Sequence, residues 1–116
     1  MMKLREHQAA FVEDTAKLIS WAYKEGYELT TGDGYRDARV FGAIGERRGY
    51  GESRSNHKLR LAHDWNLFLN GRYLTTTQSH HPLGEYWESL SRYNRWGGRF
   101  NDGNHYERLR EHREGS

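Results

Sequence analysis

The sequence predicts a single small α+β domain, an antiparallel sheet with flanking helices. Three runs predict it: a helical run near the N-terminus, an alternating run that ends in a tight turn, and a second helical run opened by the only proline. Their order, helix then strands then helix, gives an α+β domain rather than a parallel βαβ array.

Residues 4–25 read as the first helix. Leu4, Phe11, Leu18, Ile19 and Ala22 recur at spacings of three, four and seven, leaving Arg5, Glu13 and Lys17 for solvent. Gly26 supplies the stop. Tyr27–Thr31 reads as a short strand, and TGDGYRDAR as a turn presenting Tyr35 and Arg36. Residues 40–54 hold four glycines and no clear period, the pattern of a long functional or mobile loop. Residues 58–69 form the clearest strand. Leu59, Leu61, His63, Trp65 and Leu67 share one parity, and Lys58, Arg60, Ala62, Asp64 and Asn66 the other. Asn70-Gly71 is a two-residue hairpin turn, and RYLTT returns as the partner strand. Pro82 opens a helix over 83–94, with Leu83, Trp87, Leu90 and Tyr93 on one side. RWGGRFNDGNHYE is irregular and ends in a short strand. Residues 1–108 are read as the domain and 109–116 as a charged, frayed tail.

The bulk numbers narrow the function. In 116 residues there is room for one core. Hydrophobic residues make up only 34%, yet 14% are aromatic, so the core must be built largely from rings. With no cysteine, disulfides, cysteine nucleophiles and thiolate metal sites are excluded, and any zinc must be held by His, Asp or Glu. A net charge of +2 is a mild excess of base, too small for a DNA-binding tail. No apolar run approaches the ~18 residues of a membrane span. The start, MMKLREHQ, lacks an apolar signal core, so synthesis in the cytoplasm without a secretion signal is expected.

His57 and Asp64 stand seven apart, which in one regular strand would put them on opposite faces. For both to reach one ion, His57 must lie in the turn before the strand. Downstream, DGNH brings Asp102 and His105 between Gly97, Gly98 and Gly103. Two imidazoles, one carboxylate and a water complete a tetrahedral zinc site with an open position. Asp102, not bound to the metal, is placed to take a proton from that water. The competing reading is surface histidines beside solvated acids, and spacing alone leaves both open.

The residues also resemble a known family. Ser55-x-His57 followed by Ala62-x-Asp64 is similar to the S-x-H-x-x-G-x-A-x-D signature of the zinc D-Ala-D-Ala carboxypeptidase and L-Ala-D-Glu endopeptidase superfamily. Trp96-Gly97-Gly98 with Asp102-x-x-His105-Tyr106 resembles its second signature, and Gly34-Tyr35-Arg36 the segment that supplies a substrate-binding arginine. The similarity spans roughly residues 5–107 and departs at Arg60, which occupies the motif's glycine position. The resemblance implies a Hedgehog/DD-peptidase-like fold, with Zn2+ held by His57, Asp64 and His105 and with Asp102 as general base. Arg36 and Ser55 would hold a carboxylate or carbonyl of the substrate, and Trp96 and Gly97 would shape the pocket wall.

The function so implied is a monomeric phage endolysin that cuts peptidoglycan stem peptides, chiefly the L-Ala-D-Glu bond. It would act on the cell wall, in the periplasm after the membrane is permeabilised, without membrane or nucleic-acid partners. A D-Ala-D-Ala carboxypeptidase and a non-catalytic basic cell-wall or nucleic-acid binding module are the alternatives. Of the remaining residues, His63 reads as a core histidine, His80-His81 as a loop or the entry of the helix, and Trp21, Trp65 and Trp87 as core. Glu107 reads either as an orienter of a ligand or as the partner of an arginine.

Overall fold

The computed structural model describes residues 1–32 and 56–114. Arg36, Ser55, the turn at 32–39 beyond Gly32 and the loop at 40–54 lie outside the described residues.

Helix α1 (Leu4–Lys24) buries His7, Phe11, Asp14, Leu18 and Ala22 as one stripe. Two of these five are polar, and each is satisfied across the core. His7 Nδ1 accepts from Arg108 at 3.1 Å, and Asp14 accepts from the Asn94 amide at 3.0 Å. The chain then enters β1 (Tyr27–Thr31), β2 (Ala62–Leu69) and β3 (Arg72–Leu74). Asn70 and Gly71, both with positive φ, make the expected turn between β2 and β3. Helix α2 (His81–Leu90) follows with Pro82 in its first turn, and β4 (Asn94–Trp96) and β5 (His105–Arg108) complete the sheet.

The sheet is five-stranded and antiparallel, in the order β1-β2-β5-β4, with β3 also on β2. Along one edge β2 pairs with β1. Along the other it pairs first with β5 (Asp64 opposite His105, Ala62 opposite Glu107) and then with β3 (Leu67 opposite Leu74). The two helices cover one face. Tyr106 meets Trp87 of α2 edge-on at 6.2 Å, and Leu18, Leu67, Leu83 and Trp87 are fully buried there. Alternation along β5 therefore turns His105 and Glu107 to the opposite face, level with Asp64 and with Arg95 of β4.

Four boundaries differ from the expected ones. The strand over 58–69 begins only at Ala62, because Asn56–Lys58 are helical and the chain reverses at Arg60. Its partner strand ends at Leu74 rather than running through the threonines. The second helix stops at Leu90, since Asn94–Trp96 are drawn into the ladder with β5. The tail is anchored rather than frayed through Arg113. Leu109 N donates to Tyr93 O, Arg113 N donates to Arg92 O, both at 2.7 Å, and the Arg113 guanidinium donates to the Ser91 carbonyl just past α2 and to the Asn94 carbonyl of β4.

Candidate metal centre

The turn that carries His57 has a specific construction. Leu61 N donates to Asn56 O at 2.8 Å and Arg60 N to His57 O at 3.0 Å, while Arg60 has φ +60. This is a Schellman closure, in which one residue takes the left-handed conformation that favours glycine. It reverses the chain between His57 and β2. The odd spacing of His57 and Asp64 thereby stops mattering, and both reach the same face. A glycine would take this conformation without strain. Arg60 takes it with its side chain exposed.

The second ligand turn depends on Gly97. A Cβ there would overlap the Asp102 carbonyl oxygen and lie 2.8 Å from His105 Cβ. Asp102 N donates to Gly97 O at 2.9 Å, and His105 N to Asp102 O at 3.1 Å, so the turn folds tightly onto the glycine and delivers His105 into β5.

His57, Asp64 and His105 converge into a group that could hold a metal ion, with one ligand atom from each within 4.8 Å of the others. Asp64 Oδ1 lies 3.1 Å from His105 Nδ1 and 3.3 Å from His57 Nε2. The second contact has ion-pair distance without hydrogen-bond alignment, and the buried His57 Nε2 has no hydrogen-bond partner among the described residues. A buried, unpaired imidazole nitrogen turned toward a carboxylate fits a cation between them better than it fits a hydrogen bond. The donor set, two imidazoles and a carboxylate, suits a divalent transition metal.

Behind the ligands lies a buried chain of polar groups. Glu107 Oε1 holds His105 Nε2 at 3.1 Å and accepts from the Asn56 amide at 2.8 Å, and Glu107 Oε2 pairs with Arg95. Both readings of Glu107 thus hold at once: it orients His105 and it pairs with an arginine. A carboxylate on the far nitrogen fixes the tautomer of a ligating imidazole and leaves Nδ1 for the ion. Burial pushes the Glu107 carboxyl up, but the bond and charge of His105, the charge of Arg95 and the Asn56 bond outweigh this and hold it below the usual carboxylate range. Burial pushes His105 down, and its hydrogen bonds to Asp64 and Glu107 more than reverse this, raising it to about 9.

Asp102 is partly buried, on the turn that precedes β5, outside the ligand group. The Trp96 indole lies on the helical face rather than beside the ligands. Its Nε1 donates to Gly103 O at 2.7 Å, and a Cβ at either Gly84 or Gly98 would overlap its ring. It braces the ligand turn from behind. Asn56 and Arg95 were not singled out by sequence, although Asn56 immediately precedes a ligand. His80, expected in a loop or at the helix entry, stands immediately before α2 and is buried with its Nδ1 2.8 Å from the Tyr106 hydroxyl, and burial lowers it to about 4. His63 is partly buried and tilts over Trp65 with ring centroids 4.3 Å apart, as a core histidine does.

No protein-family model and no curated protein sequence matches this chain. Among the described residues, no helix is long and apolar enough to cross a membrane.

Proposed function

We propose that this protein is a zinc-dependent peptidoglycan hydrolase of the endolysin kind, cutting stem peptides at the L-Ala-D-Glu bond. The observation that carries the reading is the convergence of His57, Asp64 and His105, with Glu107 fixed behind His105. Surface histidines beside solvated acids would not be buried in this way, nor share a hydrogen-bonded carboxylate behind them. The two sequence signatures that meet at this group support the peptidase class.

Zinc, when bound, supplies a Lewis acid that polarises a carbonyl and lowers the pKa of a water to about 7. His57 Nε2, Asp64 and His105 Nδ1 would hold it. Asp102 takes the proton from the attacking water as the water oxygen adds to the scissile carbonyl carbon. It then gives that proton to the amine nitrogen as the C–N bond breaks. Arg36 offers a planar fork of donors to a substrate carboxylate, which a lysine would not match, and Ser55 a single hydroxyl. Stem peptides carry free carboxylates, so a cationic anchor suits them. The site of action is the cell wall.

The test is mass spectrometry of purified peptidoglycan after digestion with zinc-loaded protein. New L-Ala C-termini and D-Glu N-termini are expected. Release of terminal D-Ala alone would move the protein to the carboxypeptidase class, and an undigested wall would refute the hydrolase. Asp102→Asn should keep its zinc and lose wall clearing.

A further inference from the structure

The cavity that holds Asp102 also holds a histidine with one nitrogen to spare. About 350 Å³ in volume, within the size range of small-molecule sites, it opens because β5 and β3 leave the same edge of β2 in succession. The gap falls at Trp65 and Asn66 and is lined from both faces of the sheet. Trp65 has the parity of Leu67, on the helical face, and Asn66 that of Asp64, on the ligand face. The turn over residues 100–104 brings Asp102 into the wall. The Phe100 ring of that turn lies 5.9 Å from the ring of His105, so the cavity adjoins the metal centre and shares its acid.

His80 is in the wall too and is only 3% exposed. Local bonds fix its place. Ser79 N donates to Thr76 Oγ1 at 3.1 Å and His80 N to Thr77 O at 3.0 Å, so the chain makes one tight turn before α2. Gly103 N donates to Thr77 Oγ1 at 3.2 Å, which ties this turn to the one that carries Asp102. Of the two ring nitrogens, Nδ1 lies 2.8 Å from the Tyr106 hydroxyl. Nε2 has no hydrogen-bond partner among the described residues, and unlike the buried His57 Nε2 it is not sealed off, so it is the atom offered to the cavity.

The hydrogen-bond pattern also sets the tautomer. The Tyr106 hydroxyl is buried, and its one hydrogen-bond partner among the described residues is His80 Nδ1. A buried O–H without an acceptor is costly, so the hydroxyl donates to Nδ1 and the ring proton sits on Nε2. Burial lowers His80 to about 4, which leaves the ring neutral at pH 7. The wall therefore presents one neutral N–H, held in direction from behind. A neutral oxygen acceptor matches it, and a peptide carries one at every backbone carbonyl.

We propose that His80 is a substrate-contacting residue of this site, with its Nε2–H donating to a backbone carbonyl oxygen of the bound peptide. The proposal rests on the hydrolase reading for the identity of that peptide, a stem peptide. It seats part of the peptide in the gap of the sheet, beside the metal centre.

The experiment gives the stem tetrapeptide L-Ala-γ-D-Glu-L-Lys-D-Ala to zinc-loaded protein and reads KM and kcat at pH 7. Where nothing is cut, the Kd of the same peptide from calorimetry stands in for KM, so a failed hydrolase and a failed contact give different results. His80→Leu should raise KM about tenfold, with a smaller change in kcat and one zinc per chain retained. His80→Gln, which returns an N–H, should recover most of that loss. Nitrogen-15 NMR of the peptide-free protein should show the His80 proton on Nε2. Tyr106→Phe deletes the hydroxyl that fixes this tautomer and should raise KM about twofold, as part of the population turns its unprotonated nitrogen to the cavity. It carries the test if His80→Leu does not fold. A proton on Nδ1, a KM or Kd unchanged in both His80→Leu and Tyr106→Phe, no binding of the peptide, or a loss of zinc and kcat that glutamine does not recover would each overturn the assignment.

Discussion

Glu107 holds the Nε2 of His105 at 3.1 Å, on the side of the ring away from Asp64, and is itself completely buried. One carboxylate therefore fixes a ligand, an amide and an arginine. Glu107→Gln keeps the shape but removes the charge that balances Arg95 and His105. We expect metal affinity to fall about 10- to 100-fold, as for other groups behind a ligating histidine. Stability should drop by roughly 3 kcal/mol, the scale of a broken buried pair. Isothermal titration with zinc and urea unfolding measure the two. Unchanged zinc affinity would remove Glu107 from its orienting role.

Protein purified without chelator should carry one zinc per chain, and His57→Ala or His105→Ala should carry none. Because the ion binds the folded group, zinc at about 100 times its Kd should add roughly 3 kcal/mol of stability, readable as a rise in Tm that chelator reverses. Elemental analysis and a thermal scan check both.

Arg60 holds a left-handed conformation that costs a non-glycine residue about 1–2 kcal/mol, partly offset by the greater freedom of glycine in the unfolded chain. Arg60→Gly should therefore stabilise the protein by up to about 1 kcal/mol in urea unfolding, with zinc content unchanged. A destabilised variant would mean that the exposed arginine makes a contact worth more than the strain.

His80 is buried and bonded to the Tyr106 hydroxyl, and its pKa falls from 6.5 to about 4 on folding. The unfolded chain binds this proton more readily. The stability is thus full above pH 6.5 and is lost as pH falls toward 4. At about 1.4 kcal/mol per pH unit the loss approaches roughly 3 kcal/mol. Urea unfolding at pH 7 and pH 4.5 measures it. In His80→Gln the pH dependence over this window should shrink by most of that amount.

Arg113 ties the tail to the connection between α2 and β4 by donating to the Ser91 and Asn94 carbonyls. Arg113→Ala should cost about 1–2 kcal/mol and speed hydrogen exchange in residues 91–94. Equal exchange in both proteins would show that the tail contributes nothing.

Much of the fold was legible because periodicity is local. The α1 stripe, the strand at Tyr27–Thr31, the Asn70-Gly71 turn and the Pro82 helix start each follow from residues a few positions apart. That His57, Asp64 and His105 could converge on one ion was also legible, from their residue types and spacing. The requirement that His57 leave the strand followed from parity alone.

Other features needed the third dimension. Arginine itself does not mark position 60 as left-handed. That follows from the reversal needed to bring His57 over β2. The helix was expected to run through residue 94, yet it stops at Leu90 and ladder bonds to β5 hold Asn94–Trp96 extended, because pairing distant segments satisfies more backbone than one further turn of helix. The tail reads as solvated charge until Arg113 meets carbonyls some twenty positions upstream. The sequence determined which side chains were available for a metal and which segments were helix or strand. Tertiary structure decided which of them share a face, because the β2–β5 register, set by long-range pairing, put Asp64 opposite His105 and Glu107 behind it.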